Sequence, residues 1–261
     1  MKISVITVTY NSVTTLEETI LSVLNQTYPD VEYIIIDGGS TDGTVDIIKK
    51  YADRLAYWVS EPDKGIFDAM NRGISVATGN YINFMNSGDK FYANNVLERV
   101  VKKVKDNPDF IAGIAFIREK KRIPGLWTPI RENFTMPEIV RGGICNHQSC
   151  LIKKDLLNCG YDIKHRLIAD ELFFVKKVAL EKATYQPINL IVSNYDSSGV
   201  SSSPYVLDEI KDSRRNFYID NIGEELFDKY NLEYNSLKNK SLRLMRRFKR
   251  LVFRLIVWLQ R

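Results

Sequence analysis

The groups that could do chemistry are carboxylates standing at the ends of apolar runs. Asn86-Ser87-Gly88-Asp89 closes the run Tyr81–Met85. A lone carboxylate there can hold a divalent cation through oxygen, with a diphosphate completing the shell. The same four residues also make an ordinary strand-to-helix turn with an Asp cap. Asp37 leaves the run Tyr33–Ile36 and opens Gly38-Gly39-Ser40-Thr41-Asp42-Gly43. That turn has neither the GxGxxG spacing nor the lysine of a P-loop. Turn formation accounts for Ser40, Asp42 and the glycines, but not for Asp37. Glu61-Pro62-Asp63-Lys64-Gly65 sets three charges after another apolar stretch, as a solvated turn also would. His147 is one of two histidines, and reads as a ligand or as a structural ring. Asp170-Glu171 opens an apolar helix, where acidic groups suit the helix dipole and where a carboxylate facing a cleft can act as a general base.

These groups need a scaffold, and the hydrophobic pattern supplies one. Ile3–Tyr10, Tyr33–Ile36, Leu55–Val59, Tyr81–Met85 and Ile111–Ile117 read as strands, continuous and apolar as central parallel strands are. Between them, Thr14–Leu24, Thr44–Tyr51, Ile66–Val76 and Val96–Lys105 read as helices. Strand and helix alternating over 117 residues predict an α/β fold with a Rossmann-like, mostly parallel central sheet flanked by helices. Ligands on such sheets bind beyond the carboxyl ends of the strands. Thr9–Asn11, Asp37–Asp42, Ser60–Lys64 and Asn86–Asp89 all fall there. The alternation then breaks. Arg118–Arg141 is irregular and holds Pro124, Pro129 and Pro137. Beyond it come a short strand (Cys150–Ile152), a helix (Asp170–Leu180), a strand (Leu190–Tyr195), the loop Asp196–Pro204 and two helical stretches, Val206–Tyr230 and Leu237–Leu259. The expected division is a catalytic domain over 1–204 and a helical C-terminal extension over 205–261.

Charge sets the end of the extension apart from the rest of the chain. The chain of 261 residues carries a net +5. Ser236–Arg261 holds nine basic and no acidic residues, which leaves 28 basic against 32 acidic groups, a net of −4, for the rest. A nucleic-acid binder would spread Lys and Arg over the body, so no nucleic-acid partner is expected. Leu244, Phe248, Leu251, Leu255 and Trp258-Leu259 recur at helical spacing, with Arg243, Arg247, Arg250, Arg254 and Arg261 on another face. That is the pattern of a helix lying in an anionic membrane surface, or of one packed on protein. The N-terminus does not read as a signal peptide, and no apolar run reaches the length of a span. The expected location is cytoplasmic, peripheral on the inner face of the cell membrane. Cys145, Cys150 and Cys159 form no CxxC pair and read as idle thiols.

In their order along the chain, these residues resemble glycosyltransferase family 2, inverting enzymes of the GT-A fold. The resemblance rests on Ser4–Asn11, Ile36–Thr44, Glu61–Ile74, Ala77–Ile82, Asn86–Asp89, His147-Gln148-Ser149 and Asp170-Glu171. It is nearest to the branch that builds O-antigen, capsule and exopolysaccharide. The resemblance implies that Thr9, Asn11, Asp37, Asp63 and Asn71 serve the nucleotide pocket. It implies that Asp89 holds Mn²⁺ or Mg²⁺ against the donor diphosphate, with His147 close to the diphosphate or acceptor and a further candidate ligand. Asp170 would be the general base, with Glu171 the runner-up, and Ser198–Ser201 would close over the donor. Gly38 departs from many members, which carry there a second aspartate that usually reads the base. Gly88 and Asn86 also stand where others have aspartates. UDP is the expected nucleotide, with GDP and dTDP as alternatives, and the acceptor would be a glycan or lipid-linked sugar. Two rival readings are a nucleotidyltransferase, which would need a Gly-rich basic loop after the first strand, and a non-catalytic nucleotide-sugar binder.

Overall fold

A computed structural model of the chain describes residues 1–118, 125–129, 132, 134–140, 145–197, 206–236 and 238. It divides into two compact units, 1–133 with 143–214, and 134–142 with 215–261. The Ser198–Ser201 loop and all but one residue of the basic helix expected at 237–259 lie outside the described residues.

The first unit is built on one sheet. Strands β1 (Ile3–Thr9), β2 (Val31–Asp37), β3 (Tyr57–Ser60) and β4 (Tyr81–Phe84) lie parallel in the order β3-β2-β1-β4. β1 is buried along its whole length, as β-branched residues covered on both faces should be. Helices α1 (Leu16–Leu24), α2 (Thr44–Lys50) and α4 (Val96–Val101) bury Leu16, Ile20, Val23, Ile48, Val96, Leu97 and Val100 against Ile3, Val5, Tyr33 and Ile35. α3 (Ile66–Val76) packs on β1 and β2. Each fully buried aliphatic side chain contributes about 1.5–3 kcal/mol to this frame.

Beyond β4 the order continues β8-β6-β9-β5. β8 (Cys150–Lys153) runs antiparallel between β4 and β6 (Phe110–Arg118). The fifth strand expected from the sequence therefore joins the sheet one place further out. β9 (Tyr185–Asp196) lies parallel to β6 and is longer than its apolar run suggested. Two short strands were not visible in the pattern, β5 (Lys90–Phe91) against β9 and β7 (Gly125–Trp127) against β6. α6 (Ala169–Phe174) continues in a wider, π-type turn to Leu180. Its Phe173 and Phe174 pack at a tilt against Phe110, and Phe173 also meets Tyr161 edge-on. These rings fix the position of the helix start that carries Asp170.

In the second unit, α5 (Met136–Val140) falls in the stretch read as irregular. Its Ile139 carbonyl accepts from the Tyr218 hydroxyl at 2.9 Å, and Tyr218 stacks on Phe227. Tyr218 belongs to α7 (Leu207–Ile222), and residues 224–236 are again helical.

Candidate active site

Three loops meet at the carboxyl ends of β1, β2 and β3. Asp37 is fully buried, and its carboxylate accepts from Gly39 N (3.1 Å), Ser40 N (2.8 Å), Ser60 Oγ (2.6 Å) and the Ser40 hydroxyl. A carboxylate has about four acceptor positions, so this one is fully used in shaping the turn. Asn11, in a left-handed conformation at φ 46°, donates its N–H to Ser40 Oγ and accepts from Thr41 N. Thr9 pairs with Asp37 in the β1–β2 register, and its buried hydroxyl has no partner among the described residues. Asp63 reaches the same place from the loop after β3 and accepts from Gly65 N at 2.7 Å. Asn71 is not brought to these groups by any hydrogen bond. Its amide donates to Tyr161 O and accepts from Tyr161 N, clamping α3 to the chain ahead of α6.

The second half of the site hangs on one 3-10 turn, His147–Ser149. Asn83 of β4 donates to the Gln148 and Cys150 carbonyls, and the Ser149 hydroxyl meets the Ser193 hydroxyl of β9 at 2.6 Å. The turn is thus pinned between two strands. Its consecutive residues hold the two carboxylates of interest. His147 Nδ1 lies 2.5 Å from Asp170 Oδ2, and Gln148 Nε2 donates to Asp89 Oδ2 at 2.7 Å. The other Asp89 oxygen accepts from Asp196 N at 2.8 Å. Gly88 makes the tight turn before it with φ 96°, a conformation glycine adopts without steric cost. The remaining ring nitrogen of His147 faces Asn86 Nδ2 at 3.2 Å.

The electrostatics differ at the two carboxylates. Asp89 is only 5% exposed, and burial pushes its carboxyl up to about 6 despite the hydrogen bonds it accepts. Burial would raise the Asp170 carboxyl as well, but the charge and hydrogen bond of His147 outweigh it and hold the group below its ordinary value. Burial opposes charge on the His147 ring, and Asp170, with Asp89 behind it, draws it above the usual histidine range. Asp170 is therefore an ionised carboxylate at neutral pH, the form a general base requires. Glu171, beside it, is engaged by Arg214 in a two-pronged ion pair at 2.7 and 2.9 Å.

Gln148 was not singled out from the sequence as a site residue. A neutral amide offers no chemistry of its own, and its only signal was adjacency to His147. On its own side chain and on nearby elements, buried oxygens lack partners among the described residues: Asn83 Oδ1, Asn86 Oδ1, Asn146 Oδ1, Gln148 Oε1 and Asn194 Oδ1. Buried acceptors are normally satisfied, and a group of them at a sheet's carboxyl edge invites a donor or a cation. Among the described residues no three His, Cys, Asp or Glu side chains gather into a metal site. A cation here would bind one carboxylate and amide oxygens.

A sheet of order β3-β2-β1-β4, followed by β8-β6-β9 and carrying carboxylates at its carboxyl edge, defines the GT-A class of glycosyltransferases. Residues 4–153 match the model of Glycosyl transferase family 2, and the chain belongs to that family. It is 31% identical over 209 residues to an uncharacterized glycosyltransferase of Mycobacterium tuberculosis, covering 77% of each chain. A PGL/p-HBAD biosynthesis glycosyltransferase of Mycobacterium bovis is 28% identical, over 78% of this chain and 80% of the relative. In fold it is similar to S. aureus TarS 1–349 in a complex with UDP, with a TM-score of 0.67, 20% identity, and coverage of 90% of this chain and 70% of that one. Glucosyl-3-phosphoglycerate synthase of M. tuberculosis, crystallised with Mn²⁺ and UDP, gives a TM-score of 0.59 at 17% identity, over 85% and 80% of the two chains. The chain is a glycosyltransferase enzyme.

Proposed function

We propose that this glycosyltransferase takes its sugar from a nucleotide-sugar, a UDP-sugar first. It transfers that sugar with inversion to a glycan or lipid-linked acceptor in bacterial surface-polysaccharide synthesis. The observation that carries the mechanism is the single turn His147–Ser149, which holds Asp89 by one residue and Asp170 by the next. The UDP and Mn²⁺ bound by structures of like fold support the donor and a divalent cation.

Asp170 is the base. As the acceptor oxygen bonds to the anomeric carbon, the bond from that carbon to the diphosphate oxygen breaks, and the hydroxyl proton passes to the Asp170 carboxylate. One in-line displacement inverts the anomeric centre. The His147 bond fixes the carboxylate's orientation and keeps it ionised until the proton arrives. Thr9, Asn11 and Asp63 line the nucleotide side, with Asp37 shaping their turn from beneath.

A divalent cation fits the oxygens on hand. Asp89 with the unpartnered amide oxygens of Asn86 and Gln148 would hold Mn²⁺ or Mg²⁺, the donor diphosphate completing the shell. When bound, it would neutralise the charge developing on the leaving diphosphate. His147, bonded on one side to Asp170 and facing Asn86 on the other, acts in this reading as a positioning residue.

The test is a thermal-shift screen of UDP-sugars with Mn²⁺, followed by detection of UDP released when an acceptor is added. Ligands that bind only the folded chain raise its melting temperature. Absence of stabilisation by every UDP-sugar would sink the donor assignment, and binding without UDP release would leave a sugar-nucleotide binder. Among the described residues no helix is long and apolar enough to cross a membrane. Membrane placement is assigned to the basic tail on its sequence pattern. Full-length protein should float with anionic liposomes, and a version lacking residues 237–261 should not.

A further inference from the structure

α6 carries Asp170 in its first turn, and its start has no side-chain cap. Ile168, at the N-cap position, makes no side-chain bond to the helix. The leading N–H groups of a helix have no partners within it, so an uncapped first turn frays most readily. Here that turn is nonetheless buried at Ala169 and brings Asp170 within 2.5 Å of His147. The hold on it comes from α7. Arg214 forks onto both oxygens of Glu171 at 2.7 and 2.9 Å, the two side chains being 22% and 19% exposed. Such a fork fixes the plane of a carboxylate as well as its distance. Just ahead of α6, Arg166 forks onto Glu209 at 2.6 and 2.7 Å, in the open at 71% exposed. α7 thus presents an acid and then a base, and the segment 166–171 presents a base and then an acid. The complementary order admits one register and one direction of packing, and Ile210 of α7 is buried beside Glu209. The family match ends at residue 153, and Arg214 lies past the boundary at 204 expected for the catalytic domain. The first compact unit nevertheless runs to Arg214.

We propose that Arg214 is a positioning residue for the general base: from α7 it holds Glu171, and with it the turn that presents Asp170 to His147. This rests on the reading of Asp170 as the base. Asp170 and Glu171 are consecutive on one turn, so the backbone between them passes on any shift. Arg214 acts through Glu171 and takes no part in proton transfer. A reacting group misplaced by about 1 Å costs about 100-fold in rate.

The chain has two histidines, so NMR of the full-length protein labelled with ¹⁵N-histidine reads the His147–Asp170 bond without a substrate. Loss of the signal in His147→Gln assigns it. Wild type should show a His147 ring N–H far downfield, as a short hydrogen bond to a carboxylate requires. Arg214→Ala should shift or broaden that signal and lower turnover in the UDP-release assay by about 100-fold. Calorimetric affinity for UDP with Mn²⁺ should stay unchanged. Arg214→Lys keeps the charge but not the fork, and should fall between. Glu209→Gln, at the exposed pair, should alter neither readout. In a Glu171→Gln background, Arg214→Ala should cost nothing further, because the two side chains act as one unit. Melting temperatures establish that each variant is folded, and Arg214→Lys carries the comparison if Arg214→Ala does not fold. A wild-type His147 signal or full turnover in a folded Arg214→Ala would overturn the proposal. So would UDP affinity falling in step with turnover, or the same losses in Glu209→Gln, since either marks a general defect of folding. Near-normal turnover in Asp170→Asn would instead remove the base reading, and leave Arg214 holding a turn with no part in the chemistry.

Discussion

At the amino ends of the strands, Glu32 of β2 accepts from Lys2 Nζ (2.8 Å), the Ser4 hydroxyl, Thr78 N (2.7 Å) and the Thr78 hydroxyl, and the Ser4 hydroxyl accepts from Gly79 N. At the carboxyl ends, Asp89 is more deeply buried, and the amide oxygens of Gln148, which donates to it, and of Asn86, three residues before it, lack partners among the described residues. The same sheet thus carries two buried acids with opposite fates. Burial works against the charge on Glu32, but Lys2, Ser4 and Thr78 overcome it and bring the carboxyl down to about 2. Asp89 is left near 6. A fully paired acid stabilises the fold, whereas an underpaired one holds binding capacity that a ligand completes.

The sharpest way to break this contrast is at the carboxyl end. Asp170→Asn should lower turnover by about 10²- to 10⁴-fold, the contribution of a general base, while leaving donor affinity and melting temperature in place. Near-normal turnover, with Glu171→Gln inactive instead, would move the base to Glu171. Asp89→Ala should weaken Mn²⁺-dependent donor binding by at least the about 10- to 100-fold that loss of an outer-shell partner costs a metal site. Full activity in excess chelator would remove the cation from the site.

Glu32→Gln should give the opposite result. It leaves charged and hydrogen-bonding partners uncompensated, so stability should fall by about 1–3 kcal/mol while turnover per folded molecule stays unchanged. Chemical denaturation alongside a UDP-release assay measures both, and lost turnover without lost stability would erase the distinction.

The smallest effect is in the pH dependence of stability, where the two acids should slope in opposite directions. Glu32 has an ordinary value of 4.5 and a folded one of about 2, so its contribution is complete above 4.5 and is lost as pH falls towards 2. Asp89 has an ordinary value of 3.8 and a folded one of about 6, so it favours the fold below 3.8 and that advantage is lost as pH rises through 6. Melting curves between pH 2 and pH 7 should flatten at the acid end in Glu32→Gln and between about pH 4 and 6 in Asp89→Asn. A common slope in both variants would refute the assignment.

The half of the sheet around β1 was legible because strands buried on both faces leave continuous apolar runs, and Ile66–Val76 was bounded in the sequence as it is in the structure. The insertion of β8 between β4 and β6 was not, because antiparallel pairing across seventy residues leaves no local signal. The site divides in the same way. Asp89, His147 and Asp170 could be picked out as titratable groups at element ends, but their union depends on Gln148, which is neutral. Asp63 was readable as a charge after a strand, whereas its place above Gly38 is a fact of three loops meeting. Glu32 lies outside the strand read from the sequence at Tyr33–Ile36, and the groups that satisfy it come from Lys2, Ser4 and Thr78, far apart in the chain.

The bond from Asp196 N to Asp89 spans 107 positions, and the one from Gln148 to Asp89 spans 59. By contrast, β1 to β4 are complete once residue 84 has been made. Contacts that close long loops form late, because their entropy is lost before the contact returns anything. On a ribosome the nucleotide side can assemble while the carboxylate pair is still unmade, and the nascent chain gains its reactive centre only after β9 has emerged. Among the described residues, the last strand to be made is thus the one that completes the setting of Asp89.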